Sequence, residues 1–170
     1  RWYGNNENVI RFDPKSYELL AKQGNCLPSK SYYLKASVVW SDIAGSAFAA
    51  RYNSQGKIFG TGALSAFPTE TPILSLLGYF NSSVHKEVMY ALSSGMHYSV
   101  GYVDKSPFLL DEVPNILVGE LCENNVSLSK SDWDGYETSW DFTTLPLLSS
   151  DYHSTNLAET YAKLRSHWQS

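Results

Sequence analysis

Residues 31–40 read SYYLKASVVW, and residues 71–95 read TPILSLLGYFNSSVHKEVMYALSSG. The first stretch is rich in β-branched and aromatic residues, and Tyr32, Leu34, Ala36, Val38 and Trp40 alternate onto one face, the period of a strand. In the second, Ile73, Leu76, Leu77, Phe80, Val84, Val88 and Leu92 recur every three or four residues, the stripe of a helix with one buried face. Thr71 suits an N-cap, Pro72 the first helical position and Gly95 the C-terminal cap. Asn81-Ser82-Ser83 interrupts the helix formers and marks a hinge or a second N-cap. A strand period followed by a helix period implies a mixed α/β (α+β) fold, in which a small, twisted, largely antiparallel sheet is packed by the 72–94 helix.

Residues 46–52 read as a second strand, with Phe48, Ala50 and Tyr52 on one face and Arg51 on the other. Asn53-Ser54-Gln55-Gly56 is a turn, so 57–60 is expected to pair back, and 62–67 and 99–103 complete a sheet built from 31–67 and 99–103. The N-terminal 12 residues read as extended around a Gly4-Asn5-Asn6 turn. Asp13-Pro14 opens a short helix over 15–22, ended by Gly24. Residues 115–130 form another helix with Ile116, Leu117, Leu121 and Leu128, and 130–142 is a Trp- and Asp-rich connector. The last helix starts at Asn156 with Glu159 three residues on, a capping-box variant. Its Leu157, Tyr161, Leu164 and Trp168 are spaced as an a/d seam that packs on another helix. The expected division is a domain over 1–148 and a C-terminal connector helix over 149–170. The chain opens at Arg1 and stops at Ser170 within a helical pattern, as a piece of a longer polypeptide would.

The 170 residues suit about one domain, and 43% hydrophobic against 18% charged residues is a composition that folds. Aromatic residues are abundant (5 Trp, 12 Tyr, 7 Phe), and a sparsely charged, aromatic-rich surface often meets a partner. No window approaches the roughly 18 apolar residues of a membrane span, and no signal peptide opens the chain, so a cytoplasmic protein without membrane contact is expected. Cys26 and Cys122 are far apart and outside any CxxC pair, which reads as two reduced, buried thiols, with one disulfide still open. The glycosylation-like Asn81-Ser82-Ser83 and Asn125-Val126-Ser127 are chance matches without secretion. The net charge of −4 is uneven: residues 1–57 carry eight basic and four acidic groups, and the remainder five basic and thirteen acidic. A basic front and an acidic rear suit a polyanion on one face, although +4 over 57 residues is also within ordinary scatter.

Catalytic signatures are missing. There is no P-loop and no nucleophile elbow, and Gly60-Thr61-Gly62 lacks the third glycine and the helix of a dinucleotide loop. His85, His97, His153 and His167 have no partner at metal-ligand spacing and read as surface or packing residues. Asp132, Asp134, Glu137 and Asp141 lie among turn residues and tryptophans, the setting of a solvated acidic connector rather than a catalytic pair. The residues describe a recognition domain.

Several strings resemble one family: Arg1-Trp2-Tyr3-Gly4-Asn5-Asn6-Glu7, YYLKASVVWSDI (32–43), SAFAARYNSQGKIF (46–59), LLGYFNSSV (76–84) and SDWDGYETSWDF (131–142). Together they look like the C-terminal part of the adenine-specific DNA methyltransferases of BREX phage-defence systems, the PglX proteins. The Leu-Leu-Gly-x-x-Asn-Ser string is also similar to the central helix of TaqI-like specificity domains. The resemblance covers most of 1–148. It implies a DNA target recognition domain whose parent transfers a methyl group from S-adenosylmethionine to adenine N6, with the chemistry in an N-terminal domain that carries an Asn-Pro-Pro-Tyr motif. Neither that motif nor the cofactor glycine loop occurs here, so the chain by itself is expected to bind no cofactor or metal and to be inactive.

Under that resemblance the expected DNA-facing residues are Lys30, Lys35, Arg51 and Lys57 around the strands and turns, where loops enter a groove. Tyr32, Tyr33, Asn53 and Gln55 add hydrogen-bonding capacity beside them, and Ser83, Lys86 and Lys105 add help from the helical side. The lysines would equally serve solubility, and Arg51, flanked by apolar residues, an internal ion pair. Trp40, Phe80, Trp133 and Trp140 read as packing anchors. The expected partners are double-stranded DNA, the methyltransferase domain of the same chain and other defence proteins. Two further classes stand beside this one: a protein-docking domain, from the acidic 104–141 region and the terminal seam, and a carbohydrate-binding module, from the tryptophans and tyrosines.

Overall fold

Three short strands, β1 (Ser37–Ser41), β2 (Ala50–Asn53) and β3 (Ala63–Ala66), form an antiparallel sheet in the order β2-β1-β3 in the computed structural model. The described residues are 2–24, 27, 29–45, 47–93, 95–108 and 115–169; Arg1, Cys26, Ser46 and the side chain of Ile116, all used above, lie outside them. Val38 pairs with Tyr52 and Ala66, and Trp40 with Ala50 and Leu64, so these six share the face that packs into the core. Ser37, Val39, Arg51, Asn53, Ala63 and Ser65 alternate onto the other face.

The strand begins later than its alternation suggests. Tyr32 lies in a 3-10 turn, Lys30–Tyr32, and Leu34 takes a left-handed backbone (φ 66), which ends the alternation that 32–36 appear to start. Leu34 instead exchanges backbone hydrogen bonds with the 56–57 turn: its amide donates to Lys57 O (2.9 Å), and its carbonyl accepts from Gly56 (3.1 Å). Residues 57–60 therefore do not extend the ladder. Residues 99–103 are a short helix, α4 (Val100–Val103), rather than a strand. The extended piece is slightly upstream, where His97 bridges Ile43 and Tyr98 donates to Asp42 O (2.6 Å). The Ser99-Val100-Gly101 start supplies a helix entry that β-propensity conceals.

α1 (Pro14–Lys22) begins as expected, with the Asp13 carboxylate accepting from the Lys15 and Ser16 amides. Hydrogen bonds from the Ser16 hydroxyl (2.8 Å) and Arg11 Nε (2.7 Å), together with those amides, hold the Asp13 carboxyl below its ordinary value. The 72–94 helix is two helices, α2 (Ile73–Asn81) and α3 (Ser83–Leu92), broken at Ser82. Ser82 Oγ accepts from the His85 amide (3.1 Å) and donates to Tyr79 O (2.7 Å), closing one helix and opening the next. The cap of α2 is Pro72 rather than Thr71, and Ser93 rather than Gly95 closes α3.

α2 crosses the core face of the sheet, and α5 (Asn115–Asp134) packs on its other side. Trp40, Phe48 and Phe80 meet edge-on or tilted at 5.7–6.0 Å between ring centres, and the Trp40 indole donates to Tyr98 O (2.7 Å). Cys122 on α5 is a buried free thiol, its pKa pushed up by burial, and stands where α2 offers only Gly78. A Cβ on Gly78 would lie 2.7 Å from Cys122 Sγ and 3.1 Å from Val118 Cγ1. Gly78→Val should therefore cost about 1–3 kcal/mol by overpacking, read as a lower urea midpoint. Gly78→Ala should cost less, and Cys122→Ala should relieve part of that cost in a double-mutant cycle.

His85 is fully buried on α3, stacked on Phe80 with ring centres 4.8 Å apart, its Nδ1 3.2 Å from Phe80 O. Burial lowers its pKa from 6.5 to about 4, against the raising effect of the Phe80 carbonyl. The folded state thus keeps the ring neutral. Its contribution is complete above about pH 6.5 and is lost as pH falls toward about 4, by roughly 3 kcal/mol in all. Unfolding midpoints across that window should fall more for the native chain than for His85→Phe; parallel curves would remove this role. His97, His153 and His167 are exposed.

α6 (Leu157–Gln169) starts as the capping pattern implies, with Asn156 Oδ1 accepting from the Glu159 amide (3.0 Å). Ser154 and Thr155 hydroxyls donate to the Glu159 carboxylate (2.7 and 2.9 Å) and hold its pKa down. Leu164 is buried (1% exposed), with α6 packed against the 3-10 turn Pro146–Leu148, whereas Leu157 (72%) and Trp168 (61%) stay open to solvent. Tyr161 is exposed as well, so of the four seam residues Leu164 alone is buried. Among the described residues no helix is long and apolar enough to cross a membrane.

Candidate functional site

Among the described residues no helix packs on the sheet face opposite α2. The N-terminal segment runs beside it instead, tied at one end because the Tyr52 amide donates to Trp2 O (2.8 Å) and the Trp2 amide donates to Ser129 Oγ on α5 (3.2 Å). Gly4 turns the segment with φ 107, and Asn5 follows at φ 64. A side chain at Gly4 would meet the Trp133 ring at 2.9 Å, so both the backbone angle and the close approach require glycine there. Further along, the Trp140 indole donates to Glu7 O (3.1 Å) and fastens the segment to the connector after α5.

Between this strap and the sheet lies a cleft of about 510 Å³. Val39, Arg51, Asn53 and Ala63 form its floor, Asn5, Asn6 and Asn8 its strap side, and Lys57, Phe59 and Trp140 its remaining walls. The wall is stiffened by a ladder of rings: Tyr17 on Phe12 (5.5 Å), Phe12 on Tyr33 (5.5 Å), Tyr33 on Phe59 (5.1 Å) and Phe59 on Phe67 (5.2 Å). Beyond Phe67 a second hollow of about 310 Å³ holds Tyr32 and Lys35.

The candidate residues are therefore only partly brought together. Arg51, Asn53 and Lys57 line one cleft, with Gln55 exposed on the adjoining turn. Tyr32 and Lys35 line the second hollow, where the Lys35 ammonium stands 5.0 Å from the Tyr32 ring centre. The Lys30 ammonium lies 3.7 Å over the Tyr17 ring on α1. Tyr33 is 8% exposed and packs inside the ladder, so its ring supports the wall. Ser83 and Lys86 are exposed on α3, which packs on α2 and α4, and Lys105 follows α4; none of the three lines the cleft.

The acidic connector is ordered by one lysine. Lys130 Nζ donates to Asp134 Oδ2 (2.5 Å) and Asp141 Oδ2 (2.6 Å), and the Ser139 hydroxyl donates to Asp134 Oδ1 (2.6 Å). These two bonds hold the Lys130 pKa above its ordinary value, and Lys130, with Lys57 further off, lowers that of Asp141. The carboxylates thus fold the connector back on α5 and present Trp140 at the cleft. Trp133 is a packing anchor as expected, but Trp140 is 67% exposed and is not. The Asn5, Asn6 and Asn8 side of the cleft was signalled in the sequence by a run of amides after Gly4, which reads only as a turn until the Trp2–Tyr52 contact places it.

No protein-family model matches the chain. It is 30% identical over 167 residues to the adenine-specific methyltransferase PglX of Lacticaseibacillus casei (strain Zhang), covering 94% of this chain and 13% of that protein. It is 27% identical over 165 residues to the adenine-specific methyltransferase BrxX of Escherichia coli O9:H4 (strain HS), covering 95% of this chain and 13% of that protein. By sequence, this chain is a relative of a stretch that makes up 13% of the length of the adenine-specific methyltransferases PglX and BrxX.

Proposed function

We propose that this chain is the DNA target recognition part of a site-specific adenine-N6 methyltransferase that works in phage defence in the prokaryotic cytoplasm. The observation that carries the reading is the likeness to PglX along 94% of the chain. The cleft supports it: cationic Arg51 and Lys57 suit phosphate oxygens, and the exposed Gln55 on the adjoining turn offers an amide donor and acceptor, whereas Asn53 is buried in the floor with its amide donating to Ser37 Oγ (3.5 Å). Lys35 and Tyr32 line the neighbouring hollow, beside the start of α2, and add a further cation and hydroxyl; duplex DNA is the partner.

The methyl donor, S-adenosylmethionine, belongs to the parent enzyme. Gly60-Thr61-Gly62 is a tight turn running into β3, with Gly60 bridged to Ala63, and does not fit that cofactor, because no helix N-terminus follows it to meet an anion. Residues 149–170 serve as a connector to the methyltransferase domain or to another defence protein, a role that the exposed Leu157 and Trp168 favour. Leu157→Asp with Trp168→Asp should leave the unfolding midpoint of this chain unchanged and impair assembly of the longer enzyme.

A fluorescence titration of the chain with labelled duplex across a salt series tests the main reading. Affinity should fall steeply with salt, by a log–log slope of about −0.9 for each phosphate neutralised. Binding that ignores salt, or no binding at low salt, would overturn it.

A further inference from the structure

We infer that the cleft beneath the N-terminal strap is a pocket for a single unstacked nucleotide. The shape argues first. The site is a recess bounded by the sheet on one side and the strap on the other, a form that can enclose a nucleotide lifted out of the stack while Arg51 and Lys57 remain near the strand's phosphates. Its volume of about 510 Å³ lies in the usual range of small-molecule sites, roughly 300–1,000 Å³.

The chemistry fits the parts of a nucleotide. Trp140 and Phe59 supply aromatic wall, and every base has a π-face that stacks on such rings. Asn6 and Asn8 each carry a donor and an acceptor, the complement of a base edge freed from its pairing partner. Arg51 and Lys57 suit the attached phosphate.

The third argument is the cost of displaying Trp140. A tryptophan that is 67% exposed contributes little to packing, yet this one is held in place. Its indole is bonded to Glu7 O, and its loop is tied down by Lys130–Asp141 and by the Asp141 amide donating to Ser139 Oγ (3.2 Å). Fixing an aromatic side chain in advance reduces the entropy lost when a flat ligand docks on it.

A nucleotide can come from two sources, a free nucleotide or one displaced from a DNA strand; the second rests on the DNA-recognition reading above. The test uses the whole chain with three duplexes: fully paired, carrying one bulged adenine, and carrying one bulged abasic residue, with free dAMP as a fourth probe. The adenine bulge should bind at least about tenfold tighter than the abasic bulge. Trp140→Ala should abolish that ratio and Trp140→Phe should keep most of it, with melting curves checking that both variants fold. A gain from the bulge without dAMP binding upholds the pocket and assigns it to the strand. Saturable dAMP binding that is lost in Trp140→Ala upholds it and assigns it to free nucleotides. Equal affinity for both bulges together with no dAMP binding overturns it. In that case, retained salt-dependent binding of the paired duplex leaves the DNA-recognition reading standing, and its absence removes that reading as well.

Discussion

Asn81→Leu is expected to cost about 2–5 kcal/mol of folding stability, among the largest losses for a single change outside the aromatic core. The Asn81 amide sits at the end of α2 and bonds both backbone groups of Ala50: the Ala50 N–H donates to Oδ1 (2.9 Å), and Nδ2 donates to the Ala50 carbonyl (2.9 Å). Ala50 is fully buried, so removing the amide leaves two backbone groups without water or partner. In effect one side chain stands in for a fourth strand at the start of β2 and fixes the sheet to the helix. Asn81→Asp keeps an acceptor for the N–H but sets a carboxylate against the carbonyl. It should destabilise at neutral pH and recover in part as the carboxyl is protonated. Urea unfolding of the three proteins checks this; a midpoint for Asn81→Leu within error of the native one would remove the clamp.

The second large effect is on binding. The combined variant Lys35→Glu, Arg51→Glu, Lys57→Glu should lose about a hundredfold or more in duplex affinity near 0.1 M salt, and the salt slope should shrink by about three phosphate contacts. None of the three positions belongs to the core cluster, and a melting curve separates loss of binding from loss of fold. On the proposed reading, the same triple change in a longer methyltransferase carrying this chain should abolish methylation at its site. Normal methylation would mean that this side of the sheet does not meet DNA.

Much of the architecture is legible in the sequence because it depends on local period and capping. The stripe through Leu77 and Phe80 gives α2, Asn156 and Glu159 give the start of α6, and the interruption at Ser82 is a real N-cap, but the break there shifts the buried face, so that α3 buries His85 and Met89 and leaves Val84 65% exposed. What stays hidden depends on contacts between distant segments. The left-handed Leu34 breaks an alternation that looks regular, because its backbone partners lie at 56–57. Residues 99–103 have strand composition yet fold as helix, since 96–98 already take the extended place beside Ile43. Leu164 reads as part of a seam for another helix, yet it is buried on a helix that packs against the Pro146–Leu148 turn.

The candidate site divides in the same way. Arg51 is legible on the strand face opposite Ala50 and Tyr52, whereas Asn53 reads as the start of a turn and proves to be the last residue of β2, and Lys57 is expected on a returning strand that does not form. The strap that makes their face a cleft could not be placed, because it depends on Trp2 meeting Tyr52 and on Trp140 meeting Glu7 across 133 residues. The motifs that carry the family resemblance also acquire physical reasons: Gly78 for the α2–α5 contact, Asn81 for the clamp on β2, and Gly4 for the approach to Trp133.

The most direct measurement is hydrogen exchange of the chain with and without duplex DNA. Slowed exchange in the strap at 4–9 and in the turn at 53–58 is the expected result if DNA is recognised on the open face of the sheet. Slowing confined to 83–105, where Ser83, Lys86 and Lys105 lie, or no slowing at saturating duplex, would contradict it.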